Sequence, residues 1–213
     1  MYKDDKQIRL NLNENPHGPF PSAVRAVKSH VSISNRYDWS IIDRLITEIG
    51  KQEQVKSKNV LLGPGSTSII DDLCQVFAKG GGEFITPTPS YSLWHAAALR
   101  SGLVKVEVPL NSQKSLCLEN IFAKITPKTK FIYICNPNNP TGTSCDTVVL
   151  KKFIKKVTQC KNIFIVVDEA YIQFTKEKSL ANLAKTNKKL IVLKTFSKFY
   201  GLAGTRVGYA CCT

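Results

Sequence analysis

Acidic side chains are scarce here: 16 Asp and Glu face 30 Lys and Arg, leaving a net charge of +14. Histidine is rarer still, at positions 17, 30 and 95 only, and no C-x-x-C occurs, so neither a zinc nor a redox motif is present and no metal is expected. No apolar run approaches the ~18–20 residues that a membrane span requires. The start, Met1-Tyr-Lys-Asp-Asp-Lys-Gln7, is charged. Neither a signal peptide nor a membrane helix is therefore expected, and the cytosol is the expected compartment. Internal repeats, low-complexity tracts and long linkers are also missing.

The seven cysteines (74, 117, 135, 145, 160, 211 and 212) are odd in number and mostly embedded in apolar stretches, the pattern of reduced buried thiols. The 43% hydrophobic content over 213 residues suffices for a substantial core, in one large α/β domain or two small ones. The excess positive charge could serve nucleic acid or an acidic substrate. Its densest cluster, Lys151, Lys152, Lys155 and Lys156, alternates with Val149, Leu150, Phe153, Ile154 and Val157. At ~100° per residue, that places the lysines on one side of a helix and the apolar residues on the other, a solvated face. No basic strand interleaved with aromatics appears, so a nucleic-acid partner is not expected. An anionic, phosphate-bearing small molecule would benefit from the same field.

From residue 57 onward, short apolar runs alternate with amphipathic stretches. Strands are expected at Val60–Leu62, Glu83–Thr86, Leu103–Val108, Lys130–Cys135, Ile163–Asp168, Leu190–Thr195 and Val207–Ala210, with helices near 67–79, 90–100 and 146–160. Such alternation implies a three-layer αβα domain over 57–213, with a mostly parallel sheet between helices. Residues 1–56 differ: a polar arm, Leu10-Asn-Leu-Asn-Glu-Asn-Pro-His-Gly-Pro19, precedes expected helices near 21–30 and 40–50.

In open α/β sheets, ligands sit beyond the carboxyl ends of the strands, where this sequence places its unusual residues. Gly63-Pro-Gly-Ser-Thr67 follows one strand and opens a helix, so it can cradle a phosphate or serve as a plain turn. Ser68 breaks the G-x-G-x-x-G dinucleotide pattern. Asn136-Pro-Asn-Asn-Pro-Thr-Gly142 reads by itself as a tight turn, and Asp168 as a loop start. The most informative segment is Lys194-Thr-Phe-Ser-Lys-Phe-Tyr-Gly-Leu-Ala-Gly-Thr-Arg-Val-Gly-Tyr209. It sets a lysine among small residues with Arg206 eight positions on, suited to an amine held near a bound phosphate. Lys194 competes for that role but ends an apolar run, and Lys198 is preferred.

Together with Gly63-Pro-Gly-Ser66, Pro89-Ser-Tyr91 and Asp168-Glu-Ala-Tyr171, these segments resemble fold-type I pyridoxal-phosphate aminotransferases. The arm narrows the resemblance to histidinol-phosphate aminotransferases. The match runs from about residue 8 to about residue 210. It implies pyridoxal 5'-phosphate as cofactor, Lys198 as its covalent anchor, and Asp168 as the partner of its ring nitrogen. Asn139 and Tyr171 would bond the phenolic oxygen and Tyr91 would stack on the ring. Gly65, Ser66, Thr195 and Arg206 would hold the phosphate, joined in a homodimer by Tyr37 from the neighbouring subunit.

The resemblance further implies ping-pong amino transfer between small anionic amino and keto substrates, with histidinol phosphate as donor and 2-oxoglutarate as acceptor. Lys198, assisted by Asp168 and Tyr171, would carry the catalysis. Two departures stand out. Thr67-Ser68 replaces the acidic pair common in the family, and the chain stops at Thr213, where family members continue into a small domain supplying an arginine for the substrate. That domain is expected to be absent. A decarboxylase of a phosphorylated amino acid and a non-catalytic cofactor-binding remnant are the alternatives.

Overall fold

A computed structural model describes residues 10–213 except Lys161, and not the side chain of Cys160. The charged start, Met1–Gln7, lies outside the described residues. The chain forms β1 (Val60–Gly63), β2 (Glu83–Thr88), β3 (Val104–Pro109), β4 (Thr129–Cys135), β5 (Phe164–Asp168), β6 (Leu190–Thr195) and β7 (Gly208–Cys211). These pair as one seven-stranded sheet in the order β1-β7-β6-β5-β4-β2-β3. Neighbours from β3 to β6 run parallel, whereas β7 is antiparallel to both β6 and β1.

Side chains alternate across each strand, and the two resulting faces carry separate cores. On one face, Phe84, Phe131, Tyr133, Val166, Ile191 and Leu193 pack against α3 (Ser66–Phe77) and α4 (Ser92–Arg100). On the other, Ile85, Ile132, Ile134, Ile165, Val167 and Val192 meet α2 (Trp39–Glu53), α5 (Leu118–Ala123) and α6 (Thr147–Cys160). The three-layer arrangement follows, because strands apolar on both sides must be covered on both sides. The helix α1 (Pro21–His30) buries none of its residues, while Ile49 of α2 joins the same core cluster as β5 and β6.

The lysine-bearing helix α6 needs one correction. Leu150, Phe153, Ile154 and Val157 are buried as expected, but Val149 is 50% exposed. It lies in the first turn, where Asp146 caps the backbone N–H groups of Val148 and Val149, and at ~100° per residue it falls on the flank of the buried face rather than at its centre.

Candidate active site

The parallel strands end together, and the antiparallel β7 starts at that same edge. Gly208 pairs with both Thr195, the last residue of β6, and Gly63, the last of β1. The loops after β1, β2, β4, β5 and β6 and the segment before β7 therefore converge there, in agreement with the strand-end rule.

Alternation decides which side each residue serves. Asp168 falls in step with Val166 and Thr195 with Leu193, on the face of α3 and α4. Lys194 falls on the opposite face, where its Nζ lies 2.7 Å from Glu53 Oε1 in a buried ion pair. Tyr209 donates to the same oxygen at 2.8 Å. The competing lysine is thus committed to the back of the sheet.

Around the start of α3 the chain builds an anion cradle. No side chain caps this helix, whose N-cap is Gly65 at φ +79°. A Cβ on Gly65 would collide with the Arg206 guanidinium, and one on Gly208 would strike the Ser66 backbone, so both glycines permit a close approach that other residues would block. Arg206 Nη1 donates to Ala203 O at 2.9 Å and to Ser197 Oγ at 3.5 Å, and Ser197 is in turn bonded to Thr195 Oγ1 at 3.0 Å. An uncapped helix start, two hydroxyls and a guanidinium gathered at one place suit a phosphate.

Lys198 follows this cradle. It is half-buried, with Nζ 2.6 Å from the Leu12 carbonyl and 5.8 Å from the centre of the Tyr171 ring. Burial lowers its pKa, helped by Arg206 and opposed by Glu14 and Asp168. Asp168 is buried, and its carboxyl rises to about 6 because burial penalises the charge, against hydrogen bonds from Ala170 and Tyr133 and the charge of Lys198. Burial also raises the half-buried Tyr91 and Tyr171 hydroxyls; Tyr91 shares a hydrogen bond with Thr67, and Tyr171 accepts one from Asn13 Nδ2 at 3.1 Å.

Asn139 sits half-buried in the turn after β4, next to a hub formed by Asn138. Asn138 accepts from Ser90 Oγ at 2.9 Å and donates to Pro89 O at 3.1 Å, binding this turn to the Pro89-Ser-Tyr91 segment. Beside Lys198 and Tyr171 opens a cleft of about 830 Å3 bordered by the arm and by Phe20, Phe174 and Phe199.

The structure therefore gathers Gly65, Ser66, Thr195 and Arg206 at the cradle and Asp168, Tyr171, Lys198 and Tyr91 beside it. Tyr37 stands apart, 91% exposed and stacked on Trp39 at 5.9 Å. Sequence reasoning missed Ser197 and Tyr133. Ser197 lay inside the quoted segment, while Tyr133 was disguised as one more apolar strand residue.

Comparison with known proteins places this geometry. Residues 5–213 match the family described as aminotransferase class I and II. A histidinol-phosphate aminotransferase of Methanococcoides burtonii is 35% identical over 203 residues, covering 95% of this chain and 55% of that protein. An aromatic amino acid aminotransferase of Mycobacterium avium is 36% identical over 210 residues, covering 95% and 58%. The crystal structure of a putative histidinol-phosphate aminotransferase from Erwinia carotovora atroseptica superposes with a TM-score of 0.91 at 31% identity, covering 98% of this chain and 61% of that one. The chain thus spans little more than half the length of the curated relatives it matches.

Proposed function

Because this chain belongs to the class I and II aminotransferase family, we propose that its strand-end site holds pyridoxal 5'-phosphate for amino-group transfer, with histidinol phosphate and 2-oxoglutarate as the leading substrate pair. The observation that carries this reading is the juxtaposition of a half-buried Lys198, a buried Asp168 and an anion cradle at one sheet edge. The residues fit the cofactor: the cradle offers donors for a phosphate only where Gly65 and Gly208 leave space.

Bound there, pyridoxal phosphate supplies an aldehyde that captures amines and a ring that stores the electron pair released at a substrate's α-carbon. Arg206, Thr195 and the Ser66 N–H would hold the phosphate, with Gly65, whose own N–H donates to Gly63 O at 2.7 Å, allowing Arg206 its close approach. Asp168 would accept from the protonated ring nitrogen, Asn139 and Tyr171 would bond the phenolic oxygen, and Tyr91 would cover the ring. Lys198 anchors through Nζ, a role favoured by its lowered pKa because the attacking amine must be neutral. The same Nζ, when free, would be the base for the proton on the substrate's α-carbon.

A homodimer, with Tyr37 reaching a second chain's phosphate, belongs to this proposal and agrees with the exposure of Tyr37. Among the described residues no helix is long and apolar enough to cross a membrane. A second substrate reading, an aromatic amino acid, is favoured by the aromatic border of the 830 Å3 cleft and by the name of the Mycobacterium avium relative. The cofactor-loaded chain, mixed with each donor in turn and followed by its visible absorption, separates the two. Faster conversion by histidinol phosphate supports the first reading, and faster conversion by phenylalanine replaces it with the second.

A further inference from the structure

We propose that Tyr133 is a positioning residue of this site: from a buried place on β4 its hydroxyl grips one oxygen of Asp168 and fixes how that carboxylate meets a ring nitrogen. The proposal rests on the cofactor reading above for the identity of the ring. Its geometry is independent of it.

Cys135 stands directly beside Asp168 in the β4/β5 ladder and Tyr133 beside Val166, so Tyr133 is the diagonal neighbour of Asp168 on one sheet face. A diagonal gap of roughly 7 Å is within reach of a tyrosine and beyond a serine or threonine. The hydroxyl donates to Asp168 Oδ2 at 3.1 Å, while the Ala170 N–H donates to Oδ1 at 3.0 Å. With a donor on each oxygen the carboxylate cannot rotate without losing both, and each oxygen retains an acceptor site. The Tyr133 ring is itself held by Trp94, with ring centres 4.6 Å apart and both side chains fully buried.

Such a grip matters because burial alone drives Asp168 towards its neutral form, and the Tyr133 bond opposes that drive. The titratable groups facing Asp168 are Tyr91 at the start of α4, Tyr133 and Cys135 on β4, Tyr171 on its own loop and Lys198 beyond β6. Burial pushes the tyrosines and the thiol up, which leaves Lys198 as the cation opposite Asp168.

The test is Tyr133→Phe, which keeps the ring and removes the donor. Two readouts apply to the purified 213-residue chain: the carboxyl titration of Asp168 by carbon NMR without cofactor, and pyridoxal phosphate affinity from pH 5 to 8. Loss of one charge-assisted bond should raise the Asp168 midpoint by about one unit, lowering affinity about tenfold near pH 5, about fivefold near pH 6 and little near pH 8. The cofactor's own titrations are common to both proteins and cancel. An unchanged Asp168 midpoint overturns the proposal, as does an equal affinity loss at every pH, which marks a merely structural role. A wild-type chain that binds no cofactor overturns the function proposed above, and the NMR midpoints then still decide whether Tyr133 controls Asp168.

Discussion

Lys194 and Glu53 meet at 2.7 Å with side chains 5% and 4% exposed, behind the sheet whose front carries Asp168 and Thr195. Each neighbour of this pair sits next to a front-side residue. Lys194 precedes Thr195, and Tyr209, which shares Glu53 Oε1, follows Gly208. Ser179 Oγ connects Glu53 Oε2 at 3.3 Å with Glu169, the residue after Asp168. The buried network thus fixes three strand ends from the side opposite the site.

Removing one partner should therefore be costly. Lys194→Met leaves the Glu53 charge buried without its cation and is expected to destabilise the fold by about 3–5 kcal/mol, measured by urea unfolding. The double variant Lys194→Met, Glu53→Gln should recover a large part of that loss. Equal stability of single and double variants would show that the pair is not coupled.

Arg206 should act on the cofactor's phosphate and on no other part of it. Arg206→Ala is expected to weaken pyridoxal phosphate binding by about 10- to 100-fold, the worth of a charged hydrogen bond, and to leave binding of phosphate-free pyridoxal nearly unchanged. Fluorescence titration with both compounds measures the difference.

Stability should fall as pH rises through the weakly acidic range. Burial raises Asp168 from 3.8 to about 6 and Glu169 from 4.5 to about 7, so the folded chain binds these protons more tightly than the unfolded one. Their contribution is complete below the unfolded values and is lost between about pH 4 and pH 7. For Asp168, a shift of roughly two units corresponds to about 3 kcal/mol. Asp168→Asn should accordingly be more stable than the parent at pH 8, the gain vanishing near pH 4, while losing the thermal stabilisation that pyridoxal phosphate confers.

Alternation made much of this legible in the sequence. The run Leu190–Thr195 is β6 to the residue, and Val60–Leu62 falls one short of β1. The six-residue α5 went unseen, since fewer than two turns give no periodicity. The direction of β7 was also hidden, because Val207–Ala210 has the same pattern read either way. Lys198, Asp168 and Arg206 stood out as polar residues at strand ends. Tyr133 did not, because a tyrosine between Ile132 and Ile134 reads as packing until the β4/β5 register sets it diagonally from Asp168. The burial of Lys194 depended on Glu53, 141 residues away, a pairing that no local pattern reports.

In the function proposed above, Lys198 is the residue that captures the cofactor. Pyridoxal phosphate is mixed with the purified chain, the adduct is fixed with borohydride, and the labelled peptide is mapped by mass spectrometry. A single label is expected on Lys198, disappearing in Lys198→Ala, with Lys194 unmodified in its ion pair. A label on Lys194, or an equal label in Lys198→Ala, would contradict it.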